Sequence, residues 1–332
     1  MVATLYVVEP GARVEKEYGT LLVVKDDEVL MRVPLARVTY VVLVGRTGVT
    51  TPALLALLKQ GVRLSWVNRQ GELVGQLVPP LGKNVKLRKR QYLVTDDDAL
   101  RVSVVQAIVY GKVRNSLVLM KRLRRRGRAR SLGRIEKVTA VLKAVRETSS
   151  IDALRGLEGI AARTYFSMLK EALPDSFSFI KRTRRPPRDP VNALLSWGYT
   201  LLYAHIWTAL EVVGLDPYVG FFHGEKYGRP ALALDLAEEF RAPVVDSLVL
   251  TLLNKRMITE KDFETKGGGG CYLRPRGLRV FLKAFSNRVQ TTVKHKMLGR
   301  SLSYQKIFEV QARYLAKVIM GERSEYSPFE WR

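Results

Sequence analysis

The chain has 332 residues, of which 47% are hydrophobic and 26% charged, a composition typical of a folded globular protein long enough for two domains. Lys and Arg number 56 against 31 acidic residues, and the net charge of +25 favours a nucleic-acid partner over a generic basic or membrane-facing surface. A single cysteine, Cys271, excludes an intrachain disulfide framework.

The first part of the chain predicts a small sheet domain of two layers. One short helix is expected within it, with Thr51 as its cap, Pro52 in its first turn and Gly61 at its end. The run Pro79-Pro80-Leu81-Gly82 predicts a boundary between a β-rich domain over residues 1–80 and a second domain over residues 81–332. Val- and Leu-rich runs predict strands at residues 5–8, 21–24, 29–33, 40–44 and 62–67.

Beyond this boundary the apolar period becomes helical, which predicts a mainly α-helical second domain and an α+β fold overall. Ser149–Asp152 resembles a capping box, and Asp189-Pro190 begins a helix that Gly214 ends. Residues 191–213 carry polar interruptions and predict a buried helix, not a membrane span. With no visible signal peptide, the protein is expected in the cytoplasm or, through its charge, associated with the nucleoid. Further helices are expected at residues 98–126, 134–145, 244–254, 278–287 and 304–320.

Two basic stretches lie in the second domain, at residues 121–130 and 181–188. A charge run is usually a solvated face, but two in one domain favour phosphate contacts that position nucleic acid without reading its sequence. Lys226 and Arg229 are further candidates for phosphate contacts. The glycines at residues 267–270 lack the Lys-Ser or Lys-Thr of a phosphate loop and predict a flexible loop.

The most informative stretch covers residues 220–246. It places His223 on a glycine-flanked turn, and it puts Asp235 and Glu238 three residues apart near the start of an expected helix, on one face. Two carboxylates and an imidazole that converge can bind a divalent metal. Without a metal the two carboxylates would repel each other, so one of them should have a raised pKa.

The best candidate for a further metal ligand is Glu158, which lies between two glycines and is followed by Ala161 and Ala162. Each glycine weakens a helix by about 1 kcal/mol relative to alanine. The small residues therefore indicate either a close approach to the backbone or tight helix packing, and the local sequence leaves both open. His205 is expected in the core, His295 on the surface or facing DNA, and Cys271 as a buried apolar residue.

Several segments together resemble the CRISPR-associated integrase family, the first Cas protein (Cas-one). LRGLEGIAARTYF resembles its glutamate motif, and FFHGEKYGRPALALDLAEEFRAPVVD resembles its histidine and acidic motifs. RRPPRDPVNALLSWGYTLLY, NVKLRKRQY and QARYLAKVIMGERSEYSPF are similar to the helix after the glutamate motif, to the N-terminal part and to the tail. The segments keep the order of the family motifs and cover nearly the whole chain.

The resemblance implies a catalytic set in which Glu158, His223 and Glu238 hold a divalent metal, Mg²⁺ or Mn²⁺, and Asp235 assists. It also implies a homodimer that assembles with the small partner Cas-two, with dimerisation and partner contact in the N-terminal domain. The implied activity inserts short DNA fragments as new spacers, by attack of a 3′-hydroxyl on a phosphodiester of the CRISPR repeat. Expected contacts to double-stranded and branched DNA are Arg163, Arg184, Arg185, Arg188, Lys226 and Arg229, and expected supporting residues are Tyr165, Asn192 and Tyr199.

Two other functions stay open on the sequence. A non-catalytic basic scaffold would bind DNA in a salt-sensitive way, but it does not explain the acids within a basic chain. A metal phosphodiesterase acting on branched DNA or RNA would cut without joining, so an assay for joined products separates it from an integrase.

Overall fold

The computed structural model describes residues 3–79, 84–224 and 226–332. The chain forms two compact units, of which the first comprises Met1–Leu81 with Leu278–Ser286 and the second comprises Gly82–Gly277 with Asn287–Arg332. A β-sheet region followed by a mostly helical domain confirms the predicted fold class. The predicted boundary at Pro79–Gly82 lies, apart from Pro79, outside the described residues.

The first unit contains two four-stranded sheets in its described part. One has the order β1-β5-β7-β8, with β8 antiparallel to β7, and the other has the order β4-β3-β2-β6. The first-unit strands are β1 (Ala3–Val7), β2 (Arg13–Glu17), β3 (Thr20–Lys25), β4 (Glu28–Pro34), β5 (Val38–Val44), β6 (Gly48–Val49), β7 (Arg63–Val67) and β8 (Leu73–Leu77), and helix α1 (Thr51–Lys59) lies between β6 and β7.

One apolar core joins both sheets of this unit. Val14 and Leu21 contribute to it from one sheet, Val41 and Leu64 contribute from the other, and Leu57 contributes from α1. Each of these side chains is fully buried. Because alternate residues of a strand point to opposite faces, this shared core produces the two-layer arrangement that the sequence predicted.

The second unit is mainly helical. Helices α3, α4 and α5 pack on one another, and α6 packs on α10. The elements that follow residue 84 are α2 (Val85–Val94), α3 (Asp98–Arg125), α4 (Leu132–Glu147), α5 (Ile151–Glu171), α6 (Pro190–Val213), α7 (Ala231–Ala237), α8 (Ser247–Asn254), β9 (Phe263–Lys266), β10 (Gly270–Leu273), α9 (Pro275–Gln290), β11 (Thr292–Lys294), β12 (Ser301–Ser303) and α10 (Tyr304–Ile319). The middle of α9, Leu278–Ser286, belongs to the first unit.

Side-chain caps fix the starts of the helices that carry the site. Ser150 accepts the backbone N–H of Ala153 at the start of α5, and Asp189 accepts that of Asn192 at the start of α6. Gly214 ends α6 with a φ of 98°, a left-handed conformation that glycine adopts without strain. Among the described helices, none is long and apolar enough to cross a membrane.

The chain between α7 and α8 does not form the regular helix that the sequence predicted. A 3₁₀ turn, Glu238–Phe240, follows α7, and a π-helical segment, Arg241–Asp246, leads into α8. Pro243 lies in this segment and has no amide hydrogen to donate, so a continuous α-helix would lose a hydrogen bond here. The irregular segment packs against α3, where Glu238 contacts Lys112, and it places Arg241 against Tyr199 and Tyr203 of α6.

The remaining histidines and the cysteine lie in the interior. His205 is buried, as predicted, and burial lowers its pKa to about 4. The prediction for His295 is wrong: its side chain is buried, and its Nε2 lies 3.1 Å from Gln311 Oε1. Cys271 is buried, as predicted. The glycines at residues 267–269 form the turn between β9 and β10, and Gly270 begins β10.

Candidate active site

Asp235, at the end of α7, organises the turn that carries His223. Its Oδ2 accepts the backbone N–H groups of Phe221 at 2.7 Å and Phe222 at 2.9 Å, and its Oδ1 accepts that of His223 at 2.9 Å. The approach needs Gly220, because a Cβ there would lie 2.7 Å from Asp235 Oδ2. One fully buried carboxylate therefore ties the turn to the helix end.

The same carboxylate orients the His223 ring. His223 Nδ1 lies 2.6 Å from Asp235 Oδ1, and Nε2 lies 3.8 Å from Glu238 Oε1. A carboxylate at Nδ1 favours the tautomer with its proton there, so that the Nε2 lone pair faces Glu238. The structure thus brings together the three groups that the sequence placed in one constellation.

Glu238 is only 2% exposed and is held by two cations. Its Oε1 lies 2.8 Å from Arg241 Nη2, and its Oε2 lies 2.5 Å from Lys112 Nζ. Burial by itself raises the pKa of Glu238, but the charges of Arg241, Lys112 and His223 outweigh it and lower the pKa to about 2. The sequence predicted a raised pKa for one member of the acidic pair; Glu238 is not that member, because cations that the sequence did not reveal surround it.

Lys112, in α3, contacts the carboxylates of both Glu158 and Glu238. Glu158 projects from α5, and its side chain is 21% exposed. A Cβ added at Gly156 or Gly159 would meet nothing within 4 Å, so neither glycine serves tight helix packing. Of the two readings that the sequence left open, the structure favours the open approach to the backbone beside Glu158.

A further buried acid, Asp246, lies near Lys112 and Glu158. Tyr165 donates its hydroxyl to Asp246 Oδ2 at 2.6 Å, and Tyr199 donates its hydroxyl to Oδ1 at 2.7 Å. Burial raises the pKa of Asp246 to about 6, although the two tyrosines partly oppose the rise. These three residues line a cavity of about 30 Å³ with Glu158 and Lys112. The two predicted supporting tyrosines therefore border the acidic cluster.

Asn192 holds the basic loop that precedes α6. Its Oδ1 accepts Arg182 Nη1 at 2.8 Å and the N–H of Thr183 at 2.9 Å, and its Nδ2 donates to the Lys181 carbonyl at 2.9 Å. The Arg182 guanidinium lies 5.4 Å from the centre of the Tyr199 ring. Asn192 is thus linked to the site through the loop.

The predicted DNA-binding cations lie on several segments. Arg184 and Arg185 are exposed on the basic loop, and Arg188 donates to the Gly268 carbonyl at 2.5 Å. Arg163 is exposed on α5. Lys226 is exposed and Arg229 is half-buried, both shortly after the His223 turn.

The segment that follows α10 hydrogen-bonds to residues next to the site. Asn115, in α3, donates to the carbonyls of Glu239 at 2.7 Å and Phe329 at 2.8 Å, and it accepts the N–H of Trp331 at 2.8 Å. Tyr326 donates its hydroxyl to Glu239 Oε1 at 2.7 Å. Burial raises the pKa of Glu239 to about 7. The residue next to Glu238 is therefore fixed by residues 326–331.

The described side chains of the site are of the types that bind a divalent cation, although they are not drawn together into a metal site. Within the described ranges, no three His, Cys, Asp or Glu side chains are grouped closely enough to hold a metal. The Lys112 ammonium lies between Glu158 and Glu238, which shows that this position accepts positive charge. Carboxylate oxygens with one imidazole, itself oriented by a buried carboxylate, are ligands typical of Mg²⁺ or Mn²⁺.

Lys112, Arg241 and Asp246 were not predicted from the sequence. Lys112 interrupts an apolar helical stripe, and Asp246 interrupts an apolar run. Each is therefore a charged residue at a position where the pattern predicts an apolar one. That signal could have indicated burial, although not the partners.

Comparison with known proteins gives a consistent result. The family model described as "CRISPR associated protein Cas1" matches residues 5–287. A CRISPR-associated endonuclease Cas1 of Thermus thermophilus is 42% identical over 100% of this chain and 98% of its own length. A CRISPR-associated endonuclease Cas1 of Moorella thermoacetica is 34% identical over 99% and 98%.

Solved structures agree with the sequence relatives. A CAS1 protein from Thermotoga maritima is similar with a TM-score of 0.81 and 26% identity, over 98% of both chains. A chain of a Cas6-RT-Cas1–Cas2 complex has a TM-score of 0.84 and 26% identity, and the similarity covers 36% of that chain. A casposase bound to its integration product has a TM-score of 0.88 at 24% identity, a likeness of fold.

Proposed function

The chain belongs to the Cas1 family of CRISPR-associated endonucleases, and from this premise we propose that it is a metal-dependent DNA integrase of CRISPR adaptation with Glu158, His223 and Glu238 at its catalytic centre. The observation that carries the proposal is the position of Glu238, which shares the Lys112 ammonium with Glu158 and whose Oε1 lies 3.8 Å from His223 Nε2. In a chain of net charge +25, acids gathered around one lysine favour catalysis over passive DNA binding.

In this proposal Glu158, His223 Nε2 and Glu238 hold a divalent metal, Mg²⁺ or Mn²⁺. When bound, the metal polarises a phosphoryl oxygen and favours loss of the proton from an attacking 3′-hydroxyl. Asp235 keeps His223 in the tautomer that presents Nε2 to the site. Arg241 keeps Glu238 ionised, so that the carboxylate is ready to accept a cation.

The DNA contacts follow from the exposed cations. Arg184 and Arg185 present charge on the basic loop, and Arg188 is fastened to the β9–β10 turn. Together with Arg163, Lys226 and Arg229, these residues would bind phosphates of double-stranded and branched DNA. The open face beside Gly156 and Gly159 lets a DNA backbone come close to Glu158.

The proposed partners are a second copy of the chain and the small protein Cas2 (Cas-two). Strand β4 lies at the edge of its sheet, and Val29, Leu30 and Met31 are exposed on it. An exposed apolar edge strand offers unpaired backbone groups to another chain. We assign dimerisation and partner contact to the first unit, and a structural neighbour is itself part of a Cas1–Cas2 complex. A protein that inserts DNA into a CRISPR array would act in the cytoplasm.

The proposal is tested by strand transfer of a short duplex into a supercoiled plasmid that contains a CRISPR repeat, with Mn²⁺ or EDTA and with or without Cas2. The Glu158→Gln, His223→Ala and Glu238→Gln proteins should lose on the order of 100-fold or more of the metal-dependent rate. Exposed Glu136, on α4, provides the matched control Glu136→Gln, which should keep the wild-type rate.

Three results would overturn the proposal. Full strand transfer by a folded His223→Ala protein would remove His223 from the catalytic centre. Cut products without joined products would identify a phosphodiesterase instead of an integrase. Salt-sensitive DNA binding without any turnover in Mn²⁺ would identify a scaffold.

A further inference from the structure

We propose that Lys112 is a tethered counter-cation that occupies the metal position in the metal-free protein and is displaced when the metal binds. The inference rests on the proposed metal site and adds a competing group to it. The Lys112 ammonium contacts the carboxylates of both Glu158 and Glu238, which are two of the three proposed ligands.

The fold places Lys112 there through its neighbour in α3. A Cβ added at Gly111 would lie 2.7 Å from Pro328 Cβ and 3.3 Å from Glu239 Cβ. The absence of a side chain at Gly111 therefore lets α3 press directly against the residue that follows Glu238. The next residue of the helix, Lys112, is thereby brought to within 2.5 Å of Glu238 Oε2.

Of the two cations paired with Glu238, Arg241 is held in place and Lys112 can be displaced. Arg241 lies three residues along the same segment, and its guanidinium also packs 4.9 Å from the centre of the Tyr199 ring. Lys112 belongs to another helix, has a flexible stem, and bridges to Glu158, which is 21% exposed. A metal that arrives from solvent on the Glu158 side would replace the ammonium and leave Arg241 in place.

This exchange has two opposite effects. Without metal, Lys112 neutralises two carboxylates that would otherwise repel each other, so it stabilises the assembled site. In the presence of metal, the same ammonium competes for the carboxylates and weakens metal binding. A variant without the charge should therefore be less stable in EDTA and should bind metal more tightly.

The test compares wild type with Lys112→Met and Lys112→Gln by calorimetric titration with Mn²⁺ and by thermal unfolding in EDTA and in excess Mn²⁺. Both variants should bind Mn²⁺ on the order of tenfold more tightly, which corresponds to about 1.4 kcal/mol. In EDTA, the unfolding temperatures of both variants should be lower than that of wild type. When Mn²⁺ is added, the unfolding temperature of each variant should increase by more than that of wild type does. Lys112→Arg keeps the charge and should bind Mn²⁺ no more tightly than wild type.

Lys143, an exposed lysine on α4, provides the matched control, because Lys143→Met removes one positive charge elsewhere and should leave the Mn²⁺ affinity unchanged. Unchanged or weaker binding by folded Lys112→Met would overturn the inference. A Lys112→Gln protein that stays unfolded even in Mn²⁺ would also overturn it, since the metal should then substitute for the ammonium.

The Glu158→Gln variant distinguishes a wrong role for Lys112 from a wrong assignment of the metal site. If wild type binds Mn²⁺ and Glu158→Gln does not, the metal site stands whatever Lys112 does. If neither protein binds Mn²⁺, the metal site and the role of Lys112 fall together.

Discussion

Replacement of Glu238 by Gln should destabilise the metal-free protein by about 3 kcal/mol, because two cations then lose the carboxylate that they share. Removal of one partner from a buried ion pair costs roughly 3–5 kcal/mol. Glu238 is 2% exposed, whereas the side chains of Arg241 and Lys112 are 15% and 17% exposed. The lower end of the range applies because both cations keep some solvent and Lys112 keeps Glu158.

The pKa of Glu238 leads to the same magnitude. Its ordinary value is 4.5, and the cations lower it to about 2, which corresponds to about 3 kcal/mol of stability. For an acid with a lowered pKa, this contribution is fully present above pH 4.5 and is lost as the pH falls towards 2. The stability difference between wild type and Glu238→Gln should therefore be constant from pH 5 to 8 and shrink below pH 4.5.

Urea unfolding in EDTA, followed by circular dichroism, measures both effects. The control Glu136→Gln should change the free energy of unfolding by no more than about 0.5 kcal/mol, as expected for an exposed site. Adding Arg241→Met to Glu238→Gln should cost less than the sum of the two single changes, because the unpaired guanidinium is then also removed. A loss below about 1 kcal/mol for Glu238→Gln, or strict additivity in the double variant, would refute the reasoning.

Three further predictions concern the surrounding groups. In wild type, the pKa of Asp246 is raised from 3.8 to about 6, so its contribution to stability is present at low pH and is lost as the pH rises. The free energy of unfolding of Asp246→Asn, measured in urea, should therefore gain up to about 3 kcal/mol on that of wild type between pH 4 and 7.5. A difference that does not change with pH would contradict this. Asp235→Asn should weaken Mn²⁺ binding in calorimetry by about 10- to 100-fold, because His223 loses the carboxylate that orients it; wild-type affinity in a folded variant would exclude that role. Changing Arg184 and Arg185 together to Ala should reduce the salt dependence of DNA binding by about two phosphate contacts, measured by fluorescence anisotropy across a salt series. As the control, changing Lys137 and Lys143 of α4 together to Ala should leave the salt dependence as in wild type.

Elements with local signals could be predicted from the sequence. The helix from Asp189-Pro190 to Gly214 was found because a cap, a proline in the first turn and a terminal glycine all lie within it. Strand β2 was not found, since its only buried residue is Val14 and its place is set by pairing with β3. The break after Ala237 was also missed, because a helical period alone does not distinguish α-, 3₁₀- and π-helical turns.

The site residues also differ in whether the local sequence could predict them. His223, Asp235 and Glu238 are close in sequence, so their convergence could be predicted from spacing. Glu158 was a candidate because of the small residues around it, and the family resemblance added it to the ligand set. Lys112 lies 46 residues before Glu158, and their contact depends on how α3 packs against α5. Long-range packing of this kind leaves no periodic signal in a single sequence.

The attachment of residues 326–331 to Asn115 and Glu239 also affects when the site can be completed during synthesis. Asn115 and Phe329 are 214 positions apart, so the ribosome must finish nearly the whole second unit before they can meet. Such a distant closure carries a large entropic cost and forms late. Until then Glu239 lacks its partners, and the neighbouring Glu238 is not yet fixed. We expect a nascent chain to present many of the basic residues that we propose bind DNA while the proposed catalytic centre is still incomplete.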